Sequence, residues 1–381
     1  MKAAVVYHFF PHYRAAVLRE LLRSAAHEYV LVADERPWDP SIKPWTVEDK
    51  ARFIPATCHR LISPFLFQKG LIRLGLRRDI EAIIYLGNPY FVSTWISALI
   101  ARLTGKRILF WTHGWTHSDQ GAKGWFRRMF YRLAHGLLLY GHSAKISGLA
   151  HGFAPEKLHV VYNSLDYDHQ CRAQSSVAPA ELEDLRGRMF EYSHHPIVVC
   201  SARLTHACRF DLLLEAQDLL RGQGHAVNVL LVGDGPERAQ LEAIVRERNL
   251  PVHFHGACYD EETLARLLMT ARLTVSPGKV GLTAIQSLAY GVPVITHNDF
   301  SRQGPEWEAI IPGRSGDFFR HGDVADLANR IRDWTTGQPR NAGDCKGLLE
   351  RFYNPGFQRR AIDRAVSGRP ADDLFWIKEA A

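Results

Sequence analysis

A chain of 381 residues has room for two or three domains of about 150 residues each, and with 46% apolar and 23% charged residues it has the composition of ordinary globular domains. A small disulfide-stapled scaffold and a disordered chain are both excluded. Charge is uneven: residues 1–166 hold 22 Lys and Arg against 12 Asp and Glu, the remainder 25 against 28. The first part is therefore expected to meet an anionic surface, whether lipid headgroups, nucleic acid or a phosphorylated acceptor.

The apolar stretch 3–10 is broken by His8 and stopped by Pro11, too short for a signal-peptide core. Predicted strands then follow at 3–8, 29–33, 82–86, 108–112, 137–140 and 160–162, with helical patterns between most of them. The uncharged segment 82–101 could pass for a membrane helix, but Gly87-Asn88-Pro89 cuts it into a strand and a helix start. Residues 166–179, rich in Gln, Ser, Ala and Pro, carry no periodicity and read as an interdomain connection. Further strands are predicted at 197–201, 227–232, 252–255, 273–276 and 293–296, and a helix with a polar end from 356 onward. This β-α alternation predicts an α/β fold of two doubly wound domains, 1–168 and 169–355, followed by a tail, 356–381. Six cysteines, at 58, 171, 200, 208, 258 and 345, include no C-x-x-C pair, and no His cluster has zinc spacing. A reduced, cytoplasmic protein without a bound metal is expected.

Several motifs bear on chemistry. Val232-Gly233-Asp234-Gly235-Pro236 is a glycine turn between a strand and a helix. It reads either as a place where a ligand approaches backbone amides or as a plain connection, and Arg238 stands where a dinucleotide fingerprint needs its third glycine. The block from Ser276 to Ile295 reads as strand, glycine-containing loop, helix and strand, and the free amides at that helix start, reinforced by Lys279, suit a diphosphate. Asp166-Tyr167-Asp168 has the form of a metal-binding triplet but falls at the interdomain connection and reads as structural. Glu306 and Glu308 read as carboxylates approaching a site or as acids favoured at a helix start. His117, His142 and His297 read as surface or core residues. On a helical wheel Trp125, Phe126, Met129, Phe130 and Leu133 form one arc, and Lys123, Arg127, Arg128 and Arg132 the other. That is either an interfacial helix on an anionic membrane or a helix packed on its own sheet. Lys69, Arg73 and Arg77 make a second basic stripe.

Taken together, Ala202-Arg203-Leu204, the Val-Gly-Asp-Gly-Pro turn, His255-Gly256-Ala257-Cys258, the block 281–295 and Val161-Tyr162-Asn163-Ser164-Leu165-Asp166 resemble the retaining GT-B glycosyltransferases, a family that includes bacterial mannosyl- and polysaccharide glycosyltransferases. The resemblance implies two Rossmann-like doubly wound domains facing a central cleft, with the tail crossing back to the first. It implies a UDP or GDP sugar held by the second domain and a glycan or lipid-linked acceptor held by the first. Reaction would proceed with retention, with no metal or other cofactor. The basic residues come without a nucleic-acid reading motif, so no nucleic-acid partner is expected. Arg203 would grip the diphosphate. Cys208 stands where the family has a lysine, and Arg209 is expected to take over. Two glutamates spaced eight apart in the family are replaced by Gly278 and Gln286; the glutamine still offers a donor and an acceptor to a ribose hydroxyl, and Lys279 would alter the sugar preference. Gly281, Leu282 and Thr283 would present amides to phosphate, and Gly256, Ala257 and Cys258 would meet the base. His113 would touch the donor sugar or steady charge near the leaving group. Pro11, His12 and Arg14 are expected on the acceptor side. The missing acids leave open a catalytically weak or inactive sugar-nucleotide-binding partner of an assembly complex. An epimerase would need carboxylates that the sequence does not supply.

Overall fold

A computed structural model describes residues 1–37, 42–115, 121–337 and 341–372. The chain divides into two compact units, one of Met1–Asp166 with Tyr353 onward, the other of Tyr167–Phe352. The strands of the first unit are β1 (Lys2–Val6), β2 (Glu28–Ala33), β3 (Phe53–Pro55), β4 (Cys58–Arg60), β5 (Leu66–Gln68), β6 (Ala82–Leu86), β7 (Arg107–Thr112), β8 (Gly136–Leu139) and β9 (Leu158–Val160). Apart from the antiparallel pair β4-β5 they form one parallel sheet in the order β3-β2-β1-β6-β7-β8-β9. Alternate residues feed two cores: Val5, Leu31, Ile84 and Trp111 point into one, and Val6, Val32, Tyr85 and Phe110 into the other. A sheet covered on both faces explains why its strands read as continuous apolar runs.

Gly87-Asn88-Pro89 does separate β6 from the helix Val92–Leu103, which spans 12 residues. No described helix is long and apolar enough to cross a membrane. The helix Pro355–Val366 belongs to the first unit. Its Asp363 carboxylate accepts from the Tyr29 hydroxyl at 2.7 Å, and Gln358 donates to the Tyr162 carbonyl at 2.8 Å.

The second unit adds β10 (Ile197–Ser201), β11 (Asn228–Val232), β12 (Val252–Gly256), β13 (Leu273–Ser276), β14 (Val294–His297) and β15 (Gly316–Phe319), all parallel, in the order β12-β11-β10-β13-β14-β15. The order reverses between β10 and β13, and ligands of such sheets bind beyond the carboxyl ends at that point. One expectation fails here. Residues 166–179 are not an irregular linker, because Tyr167–Ser175 and Pro179–Met189 are helices. Only Gln170 and Ala173 of the first are buried, a stripe too narrow and too polar to show as apolar periodicity.

Candidate active site

In the second unit four loops meet at the carboxyl edge of the sheet, laced by backbone hydrogen bonds. Gly233 N–H donates to the Gly256 carbonyl at 2.8 Å, Leu204 N–H to that of Asp234 at 3.0 Å and Gly278 N–H to that of Cys208 at 3.1 Å. The Thr283 hydroxyl donates to the Ser201 carbonyl at 2.8 Å, fixing the start of the helix Leu282–Ala289 against the end of β10. Arg203, Arg209, Gly256–Cys258 and Gly278–Gln286 are thereby gathered on one edge. The helix itself begins after Gly281 with no side-chain cap. Its first N–H groups have no partner within the helix, so the dipole end and these amides form a seat for an anion. Arg203 and Lys279 are both exposed, and Gln286 is partly so. Gln303, which no spacing in the sequence marks, braces the seat. Its Oε1 accepts from Val280 N–H at 2.7 Å, while its Nε2 donates to Thr296 Oγ1 at 2.8 Å and to the His297 carbonyl at 3.0 Å.

The edge decides between the two readings of the glycine turn and departs from expectation at Gly278 and Arg209. The glycine turn does not open for a ligand: a Cβ on Gly233 would lie 1.9 Å from the Ala202 carbonyl oxygen, and one on Gly235 2.4 Å from that of Leu204. Those glycines let the 202–204 segment pack against the turn, the plain reading of the motif. Gly278 is likewise a packing glycine, since its Cβ would stand 2.1 Å from the Ala207 carbonyl oxygen. Backbone fills the space that a side chain would need. Arg209, expected as a free second grip, chelates Asp211 instead, with Nε 3.0 Å from both carboxylate oxygens and Nη2 2.8 Å from one. That bond raises the arginine's pKa further. Cys258 at the end of β12 is partly buried, and burial pushes its thiol pKa up, which keeps it protonated. Glu306 and Glu308 do stand in the first turn of a helix, the 3-10 helix Pro305–Ala309, but they are buried, 4% and 2% exposed, rather than solvated.

In the first unit the loop after β1 is tied down. Trp45 N–H donates to the Phe10 carbonyl at 2.7 Å, and His12 donates from its backbone at 2.9 Å and from Nδ1 at 3.1 Å to the Lys43 carbonyl. Pro11 is buried beneath that crossing, paired with Pro44, and so serves the loop's shape. Arg14 turns inward among aromatic rings: its Nη2 donates to the Tyr140 hydroxyl, and its Cζ lies 4.9 Å from the ring centres of both Trp111 and Tyr140. Tyr140 and Tyr7, whose hydroxyls are 3.0 Å apart, gave no signal in the sequence beyond strand-like apolarity. Burial, and then the charge of Arg14, bring the pKa of nearby His8 down to about 4. His113 is exposed at the end of β7, its ring centre 4.5 Å from that of Tyr140. The turn carrying it is fixed by Tyr131, which donates to the Gly114 carbonyl at 2.9 Å, and by Arg127 Nη1 at 3.3 Å from the same oxygen.

Arg127 is therefore not on a solvated basic arc. The apolar arc is split as well: Phe126 stacks on Trp95 at 5.0 Å and Phe130, 0% exposed, on Phe110 at 4.3 Å, whereas Trp125 is 58% exposed. His142 and His297 are buried; His117 lies outside the described residues.

Two parallel, doubly wound sheets, each with its loops collected at the carboxyl edge, define the GT-B class of architecture. A family model described as "Glycosyl transferases group 1" matches residues 183–345, and one described as "Glycosyltransferase Family 4" matches residues 14–169. The chain belongs to the GT-B glycosyltransferases. A GDP-mannose-dependent alpha-(1-6)-phosphatidylinositol dimannoside mannosyltransferase of Mycobacterium tuberculosis is 32% identical over 102 residues, 26% of each chain. A 2-deoxystreptamine glucosyltransferase of Streptomyces kanamyceticus is 28% identical over 151 residues, 38% of each chain. The chain thus spans well under half the length of these curated relatives. Among solved structures, Anabaena HepE in complex with UDP superposes with a TM-score of 0.72 at 15% identity, covering 97% of this chain and 100% of that one. The lipopolysaccharide outer core galactosyltransferase WaaB superposes with 0.71 at 15% identity, covering 97% and 99%. At that identity the likeness gives the fold.

Proposed function

We propose that the chain is a retaining, metal-independent hexosyltransferase that moves a sugar from a UDP or GDP sugar to a glycan or lipid-linked acceptor of bacterial polysaccharide or glycoconjugate assembly. The observation that carries this reading is the uncapped helix start at Gly281–Thr283, set beside exposed Arg203 and Lys279 where the strand order of the second unit reverses. Breaking the bond between the anomeric carbon and the diphosphate builds negative charge on the leaving oxygen, and preorganised N–H groups and guanidinium lower that barrier. In the retaining course the acceptor hydroxyl attacks from the face the phosphate leaves and gives its proton to the departing oxygen. No protein carboxylate is then needed as base, which suits a site with Gly278 and Gln286 in place of two acids. His113, exposed at the sheet edge of the first unit, is the residue proposed to meet the donor sugar.

A second reading has its own support: Gly278 has no room for a side chain and Arg209 is occupied by Asp211, which favours a partner that binds sugar nucleotides without turning them over. Both readings predict that one base of a panel of UDP and GDP sugars raises the melting temperature, and the first alone predicts release of free UDP or GDP when an acceptor is added. No shift with any sugar nucleotide contradicts both.

Peripheral attachment to an anionic membrane on the cytoplasmic side is part of the proposal. Among the described residues, twelve of the sixteen exposed large apolar side chains lie in the first unit, including Ile62, Leu76, Leu99, Leu103 and Trp125. Lys123 and Arg132 are exposed near them in sequence. Apolar wedges among basic residues are the chemistry of an interfacial surface.

A further inference from the structure

We propose that the first unit contains an anion seat centred on Arg14, and that the acceptor it receives carries a phosphate or carboxylate group. The inference rests on the glycosyltransferase reading above and narrows its acceptor. Arg14 is only 7% exposed, yet its guanidinium stays charged at any relevant pH. Around it stand Tyr7, Trp111 and Tyr140, all neutral, and no ion pair to Arg14 forms among the described residues. Nη2 is satisfied by Tyr140, but Nη1 is buried without an acceptor, and so is Nε1 of Trp111. His8 Nδ1 is also buried without a partner. Nitrogen donors without acceptors around one unpaired cation are the complement of an oxyanion.

A second feature has the same sign. Arg14 lies in the opening turns of a helical run that passes from the 3-10 turn His12–Arg14 into the helix Ala15–Leu22, and neither part has a side-chain cap or an acidic residue in its first turn. A cation at the positive end of a helix dipole is unfavourable unless an anion joins them. The place also fits a substrate. The loop leaves the carboxyl end of β1, beside β6, where the strand order of the first sheet reverses. Through Tyr140 the seat adjoins exposed His113. Cation-π contact explains how the guanidinium is held, but it supplies no acceptor for Nη1.

The test is thermal unfolding of the full chain at fixed ionic strength with inorganic phosphate, glucuronate or glucose added in turn. Phosphate or glucuronate is expected to raise the melting temperature by several degrees and glucose to leave it unchanged; which of the two anions acts at lower concentration identifies the acceptor's group. The rise should persist in Arg203→Ala, which weakens only the anion seat of the second unit, and vanish when Arg14→Met is added to Arg203→Ala. Without anion, Arg14→Met should melt no lower than the parent, because it exchanges an unpaired buried charge for an apolar side chain. A parent that does not respond, a double variant that responds fully, or an Arg14→Met variant that melts far below the parent in the absence of anion overturns the proposal. If Arg14→Met does not fold, Arg14→Lys added to Arg203→Ala decides: a half-saturating anion concentration at least tenfold higher is expected, and an unchanged one refutes the seat. A melting shift with a UDP or GDP sugar, measured on the same preparations, stands or falls separately, so the seat can fail while the glycosyltransferase reading survives.

Discussion

Gly278 and Gly281 lie three residues apart in one loop, and replacing each by alanine should give opposite outcomes. At Gly278 the added Cβ would stand 2.1 Å from the Ala207 carbonyl oxygen and 2.8 Å from the Cα and carbonyl carbon of Cys208. Ordinary contact needs about 3.5 Å. The two loops must therefore separate by more than an ångström, stretching the 3.1 Å bond from Gly278 N–H to the Cys208 carbonyl. Overpacking of this kind costs about 1–3 kcal/mol, and the weakened hydrogen bond about 1 kcal/mol more. The second unit should lose about 2–4 kcal/mol, or about 4–16 °C in its melting transition. Nothing stands within 4 Å of a Cβ on Gly281, so Gly281→Ala should shift that transition far less. Differential scanning calorimetry of the two variants is the assay. Equal melting temperatures would show that the loops make room for a side chain at 278, and that crowding is not why no acid stands there. Gly278→Glu is expected to destabilise at least as much and to give no gain in activity over the parent.

Gly187, in the helix Pro179–Met189 with open space around it, should tolerate alanine; chemical denaturation should show a gain of about 0.5–1 kcal/mol. Burial holds the pKa of His142 and His159 down at about 4, against about 6.5 in the unfolded chain. Between those values the unfolded chain binds more protons, so stability is full above pH 6.5 and falls as the pH drops toward 4. The loss is at most about 1.4 kcal/mol per pH unit for each histidine. Urea midpoints at pH 7 and 5 should show it, and His142→Gln should flatten the slope; a midpoint independent of pH would contradict the assignment. Trp125→Ser combined with Lys123→Glu and Arg132→Glu should abolish sedimentation with phosphatidylglycerol vesicles, and high salt should weaken it in the parent. Salt-insensitive sedimentation that survives these changes would defeat the membrane surface proposed for the first unit.

Strands buried on both faces were the most legible part of the sequence, because continuous apolar runs such as Ile197–Ser201 and Asn228–Val232 leave little else to form. The short strands Phe53–Pro55, Cys58–Arg60, Leu66–Gln68 and Gly316–Phe319 are not legible in the sequence: three or four residues carry too little pattern to separate from loop. The helix Pro355–Val366 was legible to within a residue, from 356 onward, whereas Pro179, which also suits a first turn, was masked by the polar, non-periodic stretch before it. The site was legible as a set of segments but not in its side-chain pairing. Sequence brings Arg209 to the right loop, yet only the fold shows Asp211 two residues on taking its charge. Glycines at 233, 235 and 278 announce a close approach without saying what approaches, and in each case it is neighbouring backbone. The aromatic surround of Arg14 draws on residues up to 133 positions apart in sequence, which no local motif can encode.

The proposed chemistry depends on a diphosphate seat formed by Arg203 and the first amides of the helix Leu282–Ala289. Calorimetric titration with UDP and GDP, and with uridine and guanosine as phosphate-free controls, tests it most directly on the parent and on Arg203→Ala. One diphosphate should bind far more tightly than its nucleoside, and losing the guanidinium should weaken it by about 10–100-fold, the worth of a charge-assisted hydrogen bond of about 1.5–3 kcal/mol. Equal binding of nucleoside and diphosphate, or an affinity unchanged in Arg203→Ala, would contradict it.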